Sequence, residues 1–238
     1  MKIEIYYHVS DFPAWQAHTD DQLNCLRRSG LWHSADRIHL QLHYNSRSFH
    51  SWLKQFDTDS RVTHTVYPCH ARCYSEVYSM IDLAQQVRSH TEPVAVFRYH
   101  TKGVTHRCTD HWPVAQAWSN YLDYWNVQQW HLCYQALQTG YHTVGANWRC
   151  DATARTHGHW SGNIWWARSD YLSSLPELVP PHWAGFRAQL GGYSPRHDAE
   201  LWVGSSSAPP HKLELHHHKH ACVYHVPPPE NYQLETKQ

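Results

Sequence analysis

A single cation followed by a glycine, Tyr99-His100-Thr101-Lys102-Gly103, is the first chemistry-bearing pattern in the chain. It follows the apolar run Val94-Ala95-Val96-Phe97. Lys102 at a strand end suits an anion such as a diphosphate, with His100 as an added donor or ligand and Gly103 letting the backbone come close. A surface turn closing a strand is the bland reading of the same residues.

Two carboxylates stand in Pro195-Arg196-His197-Asp198-Ala199-Glu200-Leu201-Trp202. On a helix, residues two apart do not share a face, so one of Asp198 and Glu200 points into a site. A carboxylate within hydrogen-bond reach of a hydroxyl can act as general base. Glu200 is the first choice if the reaction inverts, and Asp198 the second; an exposed helix start rich in acid is the alternative. Asp57-Thr58-Asp59 is a literal DxD that could hold Mg²⁺ or Mn²⁺. It falls between a helix and the start of a strand, the wrong end of a parallel sheet for a ligand, and reads as a solvated turn.

A third stretch is His159-Trp160-Ser161-Gly162-Asn163-Ile164-Trp165-Trp166-Ala167. Gly162 permits close approach, Asn163 and Ser161 offer donors and acceptors, and indoles offer flat apolar walls. With Asn147 and Trp148 these residues, His159, Ser161, Gly162, Asn163, Trp165 and Trp166, have the makings of a small-molecule pocket. If Trp165 and Trp166 lie on a strand, only one faces it. His157 and His159 bracket Gly158 without an evident acidic or thiol partner, and His216-His217-His218-Lys219-His220 does not define a closed site. No metal site is read from the sequence. No GxSxG elbow, GxGxxG or P-loop occurs.

The elements that must position these groups follow from periodicity. Ile3 to Val9, Arg37 to Tyr44, Val62 to Tyr67 and Val94 to Tyr99 read as strands. A helical stretch after Pro13, a second over Phe49 to Phe56 and a third over Tyr74 to Ser89 separate them. This alternation predicts an α/β fold, a mostly parallel sheet with helices on both faces. Ligands then bind beyond the strand ends, around His8 to Asp11, Tyr44-Asn45, Pro68-Cys69-His70 and His100 to Gly103. Further on, the spacing predicts one long helix over Trp112 to Leu137, a strand over Tyr141 to Trp148, another over Ile164 to Ala167, and a short helix capped by Ser169. Leu178 to Tyr193 reads as a loop over the site, and Pro195 to Trp202 as a helix. The chain after Gly204 turns Pro- and His-rich, so residues 1–204 are expected as the domain and 205–238 as a peripheral tail.

Lys plus Arg, 20, equals Asp plus Glu, 20, which argues against bulk attraction to nucleic acid or an anionic membrane. The seven cysteines include no CxxC pair, and no secretory pattern opens the chain, so free thiols in a reducing, cytoplasmic setting are expected. No apolar run approaches the ~18 residues of a membrane span.

Taken in order, Tyr99-His100-Thr101-Lys102-Gly103, then Val144-Gly145-Ala146-Asn147-Trp148 with His159 to Ala167, then Glu200-Leu201-Trp202 with Gly204, resemble a glycosyltransferase-like family of bacterial and viral polysaccharide gene sets. The resemblance spans roughly residues 1–204, on the order of one domain. It implies a GT-A-like, Rossmann-related fold: one α/β domain with a mixed, mostly parallel sheet that binds a nucleotide sugar at its strand ends. It implies sugar transfer from a nucleotide-diphosphate donor to a hydroxyl of a glycan or other acceptor. In that reading His8 meets the nucleotide, and His100, Lys102 and Gly103 meet the diphosphate. Many GT-A enzymes carry a metal-binding DxD after the fourth strand, where this chain has His100-Thr101-Lys102. The departure implies metal-independent transfer, with Mn²⁺ or Mg²⁺ the alternative. A non-catalytic carbohydrate- or nucleotide-sugar-binding domain is the competing reading, and a His-rich metal protein a third.

Overall fold

The computed structural model describes residues 1–43, 47–67, 75–150, 157–178, 195–217 and 229–232. Its first half alternates as the sequence pattern predicts. Strand β1 (Lys2–Ser10) leads to α1 (Trp15–Arg28) and the short α2 (Leu31–Ser34), then β2 (Arg37–His43) to α3 (Arg47–Leu53). Strand β3 (Val62–Tyr67) is followed by α4 (Ser75–Val87) and β4 (Val94–His100). The second half holds α5 (Trp112–Asp123), α6 (Trp130–Gln138), β5 (Thr143–Ala146), β6 (Trp148–Arg149), β7 (His159–Trp160), β8 (Trp165–Arg168), α7 (Ser169–Ser173), α8 (Pro195–Leu201) and β9 (Lys212–His216).

Seven strands form one sheet in the order β3-β2-β1-β4-β8-β5-β9. β1 pairs in parallel with β2 and β4, and β2 with β3, because each crossover is carried by intervening helix. β8 runs antiparallel to both β4 and β5, and β9 runs parallel to β5. The fold is therefore α/β with a mixed, mostly parallel sheet. The segment after Gly204 was expected to lie outside the domain. Its residues Lys212–His216 are the edge strand β9, with Leu213 opposite Val144.

Strand alternation sorts the side chains onto two cores. Ile3, Ile5, Tyr7 and Val9 of β1 join Phe97, Tyr99 and Trp166 beneath α1 and α5. Val96, Trp165 and Ala167 face the other way, against Met80, Leu83, Leu172 and Trp202 of the α4, α7 and α8 side. A fully buried Ile5 contributes about 1.5–3 kcal/mol of transfer free energy. That second face also carries a line of polar side chains: Glu4, His8 and Ser10 of β1, His39, Gln41 and His43 of β2, and Arg98 and His100 of β4 are all buried.

Three further expectations need correction. The helix over Trp112 to Leu137 is broken. Tyr124–Gln128 winds as a π turn, with Gln129 N–H donating to Tyr124 O at 3.0 Å. The Asn126 carbonyl accepts the Trp166 indole N–H at 2.9 Å, and the chain restarts as α6 after Gln129 leaves helical geometry. The strand over Tyr141 to Trp148 is interrupted at Asn147, whose φ of 58° splits it into β5 and β6. Ser169 does not cap α7: Arg168 holds the N-cap position, and the Ser169 hydroxyl accepts the Val94 N–H at 2.9 Å. The strand ends at Tyr44-Asn45 and Pro68-Cys69-His70 and most of the loop expected over Leu178 to Tyr193 lie outside the described residues. Among the described residues Cys25, Cys108, Cys133 and Cys150 are free thiols, and no helix is long and apolar enough to cross a membrane.

Candidate functional site

The carboxyl ends of β2, β1 and β4 place three imidazoles side by side. His8 is in register with His100, so both project from the same face, their ring centroids 6.2 Å apart. Ser10 is opposite His43 on β2, and the His43 ring lies 4.4 Å from that of His8. His8 Nε2 and Ser10 Oγ are 2.8 Å apart. Burial, reinforced for His43 by Arg98, brings the His43 pKa down to about 3. Burial does the same to His100, at about 3, with Glu76 opposing and Lys102 and Arg98 adding. At neutral pH these two rings are uncharged hydrogen-bonding groups.

His100 Nε2–H donates to the Gly162 carbonyl, and its Nδ1 lies 3.9 Å from Glu76 Oε1. The ring therefore holds the Ser161–Asn163 turn, beside the place where the diphosphate was expected. The chain beyond β4 is pinned by Thr101 N–H to His8 O at 3.1 Å and by Lys102 N–H to His100 O at 2.7 Å. Lys102 is half-buried, and Gly103, with a φ of 85°, closes the turn. The Lys102 side chain runs over Gly162, its Cε 3.6 Å from where a Gly162 Cβ would sit.

The turn itself is built on two left-handed residues, Gly162 at φ 73° and Asn163 at φ 53°. Asparagine tolerates that region better than most side chains. Here its amide is also fully engaged: Nδ2 donates to Glu76 Oε1 at 2.8 Å, and Oδ1 accepts the Trp165 indole N–H at 2.7 Å. Ser161 Oγ accepts from Asn147 Nδ2 at 3.0 Å. The indoles are not walls of an open cleft. Trp165 and Trp166 are fully buried on opposite faces of the sheet, Trp166 stacked on Phe97 at 4.8 Å. Trp148 and His159 belong to the β6-β7 ribbon, buried beside Trp160. Large apolar rings on a strand between two helical layers go to the core because that removes the most surface from water.

Helix α8 packs against α4 and against the Ser161–Asn163 turn. Asp198 is buried and Glu200 is half-buried, so the two carboxylates do diverge. The structure thus gathers His8, His100, Lys102, Gly162, Asn163 and α8 at one end of the sheet. Asn147 and Ser161 stand behind the turn. Asp59 of the DxD instead clasps Arg61, with Nη2–Oδ2 at 2.7 Å and Nε–Oδ1 at 2.9 Å, at the opposite end of β3.

Sequence pattern did not single out Glu76, His43 or Arg98, and reached Ser10 only as part of the strand end His8 to Asp11. Arg98 is wholly buried, its guanidinium donating to Tyr99 O and Ser79 Oγ at 3.0 Å each. Burial lowers its pKa to about 10, which leaves it a cation at neutral pH, with Glu76 favouring the charge. The available signal was polar residues at every second position of strands that lie at the centre of the sheet. Among the described residues no three His, Cys, Asp or Glu side chains are grouped as metal ligands. Lys102 is a half-buried cation at this strand end. The fold and this strand-end cluster define an α/β protein with a mostly parallel sheet. No family model matches the chain, and no curated protein matches it.

Proposed function

We propose that this chain is a glycosyltransferase of GT-A-like fold, moving a sugar from a nucleotide-diphosphate donor to an acceptor hydroxyl in glycan or polysaccharide synthesis. The observation that carries the reading is Lys102 at the carboxyl end of β4, lying along the Gly162–Asn163 turn. A cation there neutralises the negative charge that grows on a departing nucleoside diphosphate. His8 and Ser10 border the nucleotide side, and Gly103 lets the backbone approach the phosphates. His100, Glu76 and Asn163 act as positioning residues, holding the turn against which Lys102 rests. Glu200 on α8 is the general base for the acceptor hydroxyl, since it remains half-exposed while Asp198 is buried. Metal-independent transfer follows from the Lys102 role, with Mn²⁺ or Mg²⁺ assistance the competing form.

The test is a binding, hydrolysis and transfer screen over nucleotide sugars, with and without Mn²⁺, on the wild type and Lys102→Ala. Transfer lost in Lys102→Ala, with an unchanged unfolding curve, is the expected result. A fully active Lys102→Ala overturns the assigned role. No binding to any donor overturns the transferase. Donor binding without turnover on any acceptor replaces it by the non-catalytic nucleotide-sugar-binding domain.

A further inference from the structure

The other face of the sheet carries a cavity of 490 Å³, between α1, α5 and the Tyr124–Gln128 turn. That volume falls in the ~300–1,000 Å³ range of small-molecule sites. We propose that it is a second binding site, for a neutral saccharide unit.

The floor is fixed before any ligand arrives. Asp123 lines it, buried, with Oδ1 accepting the Tyr99 hydroxyl at 2.8 Å, and among the described residues that is the only hydrogen bond to the carboxyl. Gln22 beside it is held at both ends: Oε1 accepts from the Tyr7 hydroxyl at 2.7 Å, and Nε2 donates to His100 O at 3.1 Å. His18, also buried there, is kept neutral, its pKa lowered to about 4 by burial and then by Arg107. Burial raises the Asp123 pKa to about 7, so near neutral pH the carboxyl both accepts and donates.

The rim explains the ligand class. Asn24, Gln116 and Asn120 are exposed carboxamides around the mouth. Each presents a donor and an acceptor, the pairing that adjacent sugar hydroxyls require. The lining carries two cations, Arg28 and Arg107, and two carboxyls, Asp21 and Asp123, the last only partly ionised near neutral pH. Arg107 pairs with Asp21 at 2.8 Å and lies over the Trp112 ring at 5.0 Å. A free anion would meet Asp21 and Asp123, and a free cation would meet Arg28 and Arg107. A neutral polyhydroxyl compound meets neither penalty.

This site does not rest on the transferase reading. The side chains of Tyr99 and His100, successive residues of β4, point to opposite faces; only that of Tyr99 serves this cavity, while His100 contributes its backbone carbonyl to Gln22.

The experiment is saturation-transfer NMR and calorimetry on the full chain with glucose, galactose, mannose, N-acetylglucosamine and their common disaccharides. It is repeated on Asn120→Ala/Gln116→Ala, on Asp123→Asn, and on Lys102→Ala. At least one sugar should bind. The rim variant should weaken it about tenfold through two lost hydrogen bonds, with the unfolding curve unchanged because both side chains are exposed. Lys102→Ala and excess uridine diphosphate should leave that binding intact, whatever the outcome of the donor screen. Absence of binding by every sugar overturns the proposal. So does binding that the rim variant leaves unchanged, or that uridine diphosphate displaces.

Discussion

Asn163 and Glu76, 87 positions apart in sequence, are joined by a hydrogen bond of 2.8 Å from Nδ2 to Oε1. The same Glu76 oxygen lies 3.9 Å from His100 Nδ1. One carboxylate on α4 thereby fixes the left-handed turn before β8 and lies close to the end of β4. The turn in turn supports the Lys102 side chain.

Asn163→Ala should be strongly destabilising. It leaves the Trp165 N–H and a Glu76 oxygen without this partner inside the core, and puts alanine at φ 53°. Each lost partner costs about 1–3 kcal/mol and the dihedral about 1 kcal/mol more. Urea unfolding measures the sum. Asn163→Gly relieves the backbone but not the amide bonds, and should recover only the smaller part. A loss below about 1 kcal/mol in Asn163→Ala would contradict the network.

Gly162→Ala meets two obstacles. Its φ is 73°, and its Cβ would fall 2.6 Å from Leu122 Cδ1. A cost of about 1–3 kcal/mol follows, lowering Tm by about 2–4 °C per kcal/mol in a chain of this size. Adding Leu122→Ala should remove the clash, yet it opens a cavity of its own, so the double variant should fall short of additivity. Strict additivity in thermal melts would show that the two side chains do not meet.

Stability should fall on mild acidification. His18, His43 and His100 are held at about 4, 3 and 3, below the ordinary 6.5, first of all by burial. Between those values and 6.5 the unfolded chain binds protons that the folded chain refuses, so stability is lost as pH drops through that window. Asp123 acts in the opposite sense. Raised by burial from 3.8 to about 7, it binds its extra proton in the folded chain, and stability falls as pH rises through that range. Three imidazoles outweigh one carboxyl, so the unfolding free energy should be lower at about pH 5 than at about pH 7.5. Asp123→Asn removes the opposing contribution and should steepen the loss. Identical pH profiles for the two proteins would refute the assignment to Asp123.

The two acids of α8 should separate cleanly. Glu200→Gln should lower kcat by about 10²–10⁴-fold with Tm unchanged, as loss of a general base does. Asp198→Asn, altering a buried side chain, should register mainly in the unfolding transition. The reverse pattern in kinetics and melting would reassign the base to Asp198.

The parallel half of the sheet was legible because each strand carries its own period of two and each helix its own 3-4 spacing. Ile38, Leu40 and Leu42 against His39, Gln41 and His43 is such a pattern, and it forms β2. The polar set was visible too, but its burial was not, because polar alternation normally marks a solvated face. The broken helix at Tyr124–Gln128 was hidden for a different reason. Its π turn answers to the Trp166 indole, 40 positions away, and no local pattern announces a distant donor. The edge strand Lys212–His216 was masked by its Pro- and His-rich surroundings.

The sequence by itself determined the α/β alternation and the nearness in sequence of Lys102 and Gly103. Those follow from short-range spacing, which any window of the chain contains. Only the tertiary structure decided that the indoles of the Gly162–Asn163 stretch belong to two separate cores, that His100 faces the Gly162 carbonyl, and that Asp123 sits in a cavity on the opposite face. These depend on which residue comes to lie against which across the sheet. Close packing and the pairing of buried polar groups settle that jointly, and no single stretch of sequence carries it.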